Sequence, residues 1–284
     1  MAIIFYKPGK DVELSRDQLE FYNRNGYLII ENLLSIGECD DILGKFNRHM
    51  DEDFSCILNF HRRSKLAAQD PRDKTLEVMV EIEETSKLAL DLMRDRRCVS
   101  VIDQLQIGRM RKYGRSATGH MDEFVPRDHV GLMSILLYKK PGTQYAGQAW
   151  NVHQDNAYPQ NPYGLYITVS IILADIDREN GTVFVYPGSH EEGLLPHAPQ
   201  KSYREDSGKQ PGNIASFPEK YRGTEVDIIA KKGAVFFMNG NTLHGSYPNL
   251  SDRPRPIHIN TYIPNGEEYA PGKIAGRSPI LLTE

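Results

Sequence analysis

A chain of 284 residues with 39% hydrophobic and 25% charged residues carries enough apolar material for one large core. Its formal net charge of -4 gives no global attraction to phosphate polymers, and no apolar run approaches the ~20 residues a membrane helix needs. Nucleic-acid and membrane partners are therefore not expected. Cys39, Cys56 and Cys98 are odd in number without any CxxC, and the opening MAIIFYKPGKDVEL lacks the pattern of a secretory signal, so a reduced, cytoplasmic setting is expected.

Along the chain, Ser15-Arg16-Asp17-Gln18 reads as a capping box, and Leu19, Phe21 and Tyr22 supply an apolar side before Gly26 stops the helix. Tyr27 to Ile30 then reads as a strand, and Ser35 opens a second helix through Met50 with Ile36, Cys39, Ile42, Leu43 and Phe46 on one face. A third helix is expected from about Asp73 to Arg96, where Leu76, Met79, Val80, Leu90 and Leu92 form an apolar stripe. After residue 98 short β-rich runs take over, at 133–138, 165–173, 182–186, 226–230, 234–238 and 257–263, separated by Gly, Pro and Asn clusters. The pattern is mainly β, a barrel or sandwich with the N-terminal helices packed outside. The connection 187–224 exceeds ordinary loop lengths and is either disordered or a functional lid; 113–131 poses the same choice.

Three stretches spell HxD, and geometry separates them. His49 and Asp51 fall at a helix end, where residues two apart point roughly 200° apart. His120 and Asp122 lie in a loop with Gly114, Ser116 and Gly119, and nothing later supplies an obvious partner. His153 and Asp155 sit where a strand passes into a turn, and on a strand residues i and i+2 share a face. His244 can complete the set, since it follows the buried-strand pattern Gly233 to Met238 and precedes Gly245, which allows a close turn. Two imidazoles and one carboxylate on a triangular face suit ferrous iron in non-haem oxygenases, although zinc hydrolases use similar ligands, so the ligands alone leave the metal open. His61, His129, His197 and His258 have no periodic partner and read as surface or hydrogen-bonded core groups, and His190 as the brace of a turn.

Lys140-Pro141-Gly142, Trp150 to Asp155, Asp175-Ile176-Asp177 with Glu179-Asn180-Gly181, Pro187 to His190, and Gly233 to Phe237 running on to His244-Gly245-Ser246 and Arg255 occur in one order. In these motifs the sequence resembles the phytanoyl-CoA dioxygenase (PhyH) family of iron(II)- and 2-oxoglutarate-dependent oxygenases, over roughly residues 12 to 263. The resemblance implies a double-stranded β-helix, the jelly-roll or cupin-like barrel. It implies one oxygenase domain over 1–284, helix-rich to about 97, with the β-helix core at about 98–263 and a C-terminal tail at 264–284. It makes His153, Asp155 and His244 the catalytic iron ligands and Arg255, eleven residues after the last histidine, the grip on the distal carboxylate of 2-oxoglutarate, with Ser246 adding a hydrogen bond. Arg253 shares strand parity with Arg255 and is its competitor. Ser134 takes the strand position before Lys-Pro-Gly from which some members touch 2-oxoglutarate through glutamine or lysine. The prolines on both sides of Arg255 suit a strand that begins there or lies at an edge.

The implied reaction consumes O2 and converts 2-oxoglutarate to succinate and CO2 while a substrate C–H bond is oxidised, with hydroxylation the first expectation. Desaturation, ring closure or oxidative removal of an amine are other outcomes of the same chemistry. The carboxylate at 155 implies oxygen transfer rather than halogen transfer, because related halogenases carry a small residue there. A cupin-type zinc or nickel enzyme, or a non-catalytic jelly-roll binding protein, is the alternative, and neither needs Arg255. The loops 113–131, 156–164 and 187–224 carry Asp122, Glu123, Arg127, Asp128, Asn156, Tyr158, Asn161, Tyr163 and Arg204, more charge and amide than a fatty-acyl tunnel wants. A small polar, amine-bearing metabolite is the expected substrate, with Asp122, Glu123, Asn156 and Tyr158 as its contacts; a solvated loop surface accounts for the same residues.

Overall fold

The structure is a computed structural model, and it describes residues 10–52, 76–78, 87–120, 123–142, 146–147, 149–200, 212–270 and 279–282. His61, Asp122 and Arg204 lie outside these residues, as do the side chains of His49 and Asp51.

Helix α1 (Arg16–Asn25) starts as its capping box dictates: the Ser15 side chain accepts from Gln18 N, and the Gln18 side chain accepts from Ser15 N. Gly26 ends it at φ 80°, and a Cβ there would lie 2.5 Å from His190 Nδ1 and 2.6 Å from Thr242 Oγ1. Both the left-handed backbone and the lack of space demand glycine. Strand β1 (Tyr27–Ile30) follows, and then α2 (Ile36–Glu52), where Ser35 and Glu38 exchange side-chain-to-backbone hydrogen bonds.

The third helix does not form over 73–96 as the apolar stripe suggests. Leu76–Val78 is instead strand β2, and among the described residues of that span the helix α3 is Lys87–Met93. Leu76-Glu77-Val78 has the two-residue alternation of a strand, and its partner lies nearly sixty residues on, where a local pattern cannot reveal it. The helical part then continues further than expected, through α4 (Arg96–Lys112), capped by the Asp95 carboxylate on Arg97 N and burying Cys98, Val101, Ile102 and Leu105. Its β-branched residues resemble those of a strand, but packing on the barrel overrides that local preference.

The core strands are β3 (His129–Lys139), β4 (Trp150–His153), β5 (Ile167–Ile172), β6 (Val183–Val185), β7 (His197–Gln200), β8 (Gly212–Ala215), β9 (Val226–Asp227), β10 (Val235–Asn239), β11 (His244–Ser246), β12 (Arg255–Pro264) and β13 (Ile280–Leu281). The large sheet runs β1-β10-β5-β12-β3-β13 with β2 also on β3; the small one runs β4-β11-β6-β9; β7 and β8 form a separate hairpin within the long connection. All these pairings are antiparallel. The expected tail thus adds a strand, and the early Tyr27–Ile30 belongs to the main sheet.

The large sheet is covered on both faces, which is why β5 and β10 read as nearly unbroken apolar runs. One face, with Leu136, Val169, Ile171, Val235, Phe237 and Tyr262, packs against Tyr22, Ile42, Phe46, Leu92 and Leu105 of the helices. The other, with Ile172, Phe236, Met238 and Ile257, meets Val185 of the small sheet. This second interior holds the polar residues considered next.

Candidate active site

Strands β4 and β11 are neighbours, and their register places His153 directly opposite His244, ring centroids 4.2 Å apart. A 3-10 turn at Asp155–Ala157 brings the carboxylate back beneath both rings. Backbone carbonyls fix the ring orientations: His153 Nδ1 donates to Asn151 O at 2.8 Å and His244 Nδ1 to Thr242 O at 2.9 Å. Each Nε2 is thereby turned towards Asp155 Oδ1, at 3.5 Å from His153 and 3.4 Å from His244. The remaining oxygen, Oδ2, accepts from Thr168 Oγ1 at 2.6 Å.

The three donor atoms lie within 4.8 Å of one another, a grouping that could hold one metal ion. The electrostatics agree. Burial alone would raise the Asp155 pKa, but His244 and then His153 outweigh it and hold the carboxyl well below its usual range. Burial would lower the His244 pKa, and Asp155 outweighs it in turn. Such a pair holds a cation's place with protons, which a metal displaces.

Buried amides fix this turn. Gln154 Nε2 donates to Asn241 O and Gly193 O, at 2.6 and 2.7 Å, and Gln154 Oε1 accepts from Leu195 N. Asn156 Nδ2 donates to Asn161 O and Asn241 Oδ1, at 2.9 and 2.8 Å, while its oxygen accepts from Asn161 N. Asn156, read from the sequence as a substrate contact, is 0% exposed and spends its amide on the chain itself. It joins the Asp155 turn to the segment that leads to His244.

A second polar cluster lies deeper in the same interior. Strand β12 begins at Arg255, so Pro254 falls outside the sheet as its missing N–H requires. Arg255, 2% exposed, pairs in register with Lys139, 0% exposed. Lys139 Nζ donates to Ser246 Oγ at 3.0 Å and to Tyr247 O. Burial, and then the Arg255 charge, push the Lys139 pKa well below its usual value. Two adjacent buried cations opening on a hydroxyl fit the distal carboxylate of a dicarboxylate such as 2-oxoglutarate. Arg253 is elsewhere, held on the surface by Asp177 at 2.7 and 2.9 Å.

Lys139, not Ser134 as the sequence suggests, is the β3 residue that reaches Ser246 and Arg255. Ser134 has the opposite strand parity to Lys139 and faces the helices, where its hydroxyl meets His258 Nε2 at 3.1 Å. His258, stacked on Phe46 with centroids 5.0 Å apart, is fully buried, and burial drives its pKa down to about 3. A histidine that stays neutral when folded but protonates near 6.5 when unfolded costs stability as pH falls from about 6 towards 3. Replacing His258 by glutamine should therefore flatten the acid limb of urea-unfolding free energy by up to about 1.4 kcal/mol per pH unit between pH 6 and 4. Parallel curves for the two proteins would contradict a buried neutral ring.

The remaining expected contacts are dispersed. The Glu123 side chain is exposed, while its backbone carbonyl accepts from Thr118 Oγ1. Arg127 and Arg115 both bind the buried Glu267 carboxylate, at 3.0 and 2.7 Å, with Asn161 Nδ2 at 3.4 Å. Tyr163 lies under the Arg115 guanidinium, and Tyr158 stays half-buried beside the Asp155 turn. His120 is on an exposed loop. His197 approaches the triad but is no ligand, since its Nε2 accepts from Gln154 N at 3.2 Å and its Nδ1 donates to Leu195 O at 2.7 Å. His190 Nε2 meets Asn23 O, bracing the turn as expected.

An antiparallel jelly roll with two histidines and a carboxylate converging on its inner face defines a metal-dependent barrel of the non-haem oxygenase type. The comparisons agree on the family. The sequence matches the profile of the phytanoyl-CoA dioxygenase (PhyH) family over residues 22–257. It is 25% identical over 263 residues to the ectoine dioxygenase of Bordetella parapertussis, covering 89% of this chain and 76% of that one. Among solved structures, EctD from S. alaskensis with 2-oxoglutarate and 5-hydroxyectoine superposes with a TM-score of 0.66 at 18% identity, over 98% of this chain and 89% of that chain. The epimerase SnoN in complex with Fe3+, alpha ketoglutarate and nogalamycin RO does so with 0.64 at 19% identity, over 90% and 85%. The chain belongs to the phytanoyl-CoA dioxygenase family.

Proposed function

We propose that this iron(II)- and 2-oxoglutarate-dependent dioxygenase hydroxylates a C–H bond of a small polar molecule and releases succinate and CO2. Iron(II) is its metal, and 2-oxoglutarate and O2 are its co-substrates. The observation that carries this reading is the pairing of two sites in one interior: the His153, Asp155 and His244 cluster, and the buried cations Lys139 and Arg255 beside Ser246. A zinc or nickel cupin, or a binding protein without turnover, has no use for the second.

When bound, iron supplies the redox chemistry that couples dioxygen and 2-oxoglutarate to oxidation of the substrate. His153 and His244 would hold it through Nε2, since each Nδ1 is engaged with a backbone carbonyl. Asp155 adds the offsetting charge, and Thr168 fixes its second oxygen. Arg255 and Lys139 would neutralise the distal carboxylate of 2-oxoglutarate, and Ser246 would orient it.

A substrate with a hydrogen-bonding group is supported by Thr261, whose buried Oγ1 has no partner among the described residues. Thr261 is the cross-strand partner of Thr168, so it faces the same inner space as Asp155. The names of relatives, ectoine dioxygenase and phytanoyl-CoA dioxygenase, differ widely in substrate, so the family does not choose one. A cytosolic setting is supported by the buried free thiols of Cys39 and Cys98, and no helix among the described residues is long and apolar enough to cross a membrane.

Anaerobic addition of ferrous iron and 2-oxoglutarate to the apo-protein should produce the weak visible charge-transfer band of the chelate, and His244→Ala should abolish it. A band surviving in the variant would remove His244 from the site. Metal binding without any band in the wild type would favour the cupin-type enzyme or the binding protein.

A further inference from the structure

Trp150, the sole tryptophan of the chain, has a buried indole N–H that meets no acceptor among the described residues. Burying a donor without an acceptor is unfavourable, so its position raises the question of what it meets when ligands are present. The indole cannot be assigned to the outer apolar cluster, which takes Val152, Phe184, Tyr186 and Leu243. Residues three apart on a regular strand point to opposite faces, yet Trp150 lies on the same side as His153 with ring centroids 6.1 Å apart. The cause is the register shift between His244 and Ser246, which sets Trp150 opposite Ser246 instead of continuing the alternation. The bulge therefore re-aims one side chain into the interior.

Its neighbours there define the ligand. Ser246, the register partner of Trp150, receives the Lys139 ammonium, and Lys139 is in turn paired with Arg255. On the other side stands His153 of the triad. A molecule reaching from the cation pair to the triad passes between them.

We propose that the Trp150 indole N–H donates a hydrogen bond to a carboxylate oxygen of bound 2-oxoglutarate, acting beside Ser246, Lys139 and Arg255. This rests on the functional reading above. It assigns the bulge in β4 a role, since an unbroken strand would turn the indole outwards. It also makes tryptophan emission a direct report on co-substrate binding.

Trp150→Phe keeps a ring in place and removes only the donor. Calorimetric titration of the anaerobic, iron(II)-loaded protein with 2-oxoglutarate should give a dissociation constant about tenfold higher in the variant, with metal affinity unchanged within about twofold. The wild type offers a second test that needs no substitution: emission of the metal-loaded protein should change on adding 2-oxoglutarate and saturate with the calorimetric affinity. Unchanged 2-oxoglutarate affinity in W150F, or an emission that ignores 2-oxoglutarate, would overturn the inference while leaving the functional reading intact. No binding of 2-oxoglutarate to the wild type would overturn both.

Discussion

Asp155→Ala is expected to reduce succinate release by roughly a thousandfold or more, equivalent to about 4 kcal/mol of transition-state stabilisation, and to abolish the chelate band. The carboxylate is the shared point of the cluster, since one oxygen faces both Nε2 atoms at 3.4–3.5 Å and the other receives the Thr168 hydroxyl. Without it two neutral imidazoles remain, an uncharged pair that holds iron(II) weakly and offers nothing to offset its charge. Asp155→Asn separates charge from shape: its oxygen can still accept from Thr168, yet it lacks the anion, so it should behave like the alanine variant in iron affinity. Anaerobic calorimetry with ferrous iron and a succinate assay measure the two effects. Asp155→Asn with near-normal iron affinity would show that geometry, not charge, is what the site requires.

Local grammar explains what was legible in the sequence. The capping box at Ser15 and Gln18, the glycine at 26 and the run Val235-Phe236-Phe237-Met238 each need only a few neighbouring residues to form, and α1, β1 and β10 appear where those signals put them. The HxD stretch at 153 could be separated from His49 and Asp51 by periodicity and from His120 and Asp122 by their lack of a later partner, and the structure brings His153, Asp155 and His244 together, with Asp155 on the turn that follows β4. The proline pair around Arg255 likewise matched a strand that starts at that residue.

What was not legible depends on register and on partners distant in sequence. Strand β2 exists because β3 pairs with it, and α4 because the barrel buries its β-branched face. Lys139 and Ser134 lie five apart on one strand, and only the pairing with Arg255 tells which of them faces the interior. A lysine ending an apolar strand directly before Lys140-Pro141-Gly142 was the available signal. Asn156 and Asn161 look in the sequence like amides on a ligand-binding loop, but both are consumed by backbone and side-chain bonds that hold the loop itself. Amide type alone cannot distinguish a residue that binds a substrate from one that binds its own turn.

Arg255→Ala should raise the dissociation constant of 2-oxoglutarate by roughly 100- to 1000-fold, because it removes charge-assisted hydrogen bonds worth about 1.5–3 kcal/mol each from a buried setting. Burial first, and then the Arg255 guanidinium, lower the Lys139 pKa, so the two cations sit together at an electrostatic cost that a bound dicarboxylate relieves. Lys139→Met should weaken 2-oxoglutarate by a smaller factor, about tenfold, since a point charge is lost but the planar fork remains. Arg255→Lys should not restore the wild-type affinity, because an ammonium on a shorter, differently shaped arm cannot grip both carboxylate oxygens. Iron(II) affinity without 2-oxoglutarate serves as the test of folding and should be the same in all these variants. If Arg255→Ala bound 2-oxoglutarate normally and Arg253→Ala did not, the grip would belong to the surface arginine. That result would contradict the burial that separates the two: Arg253 is engaged by Asp177 at the surface, and Arg255 lies beside Lys139 in the interior that also holds the triad.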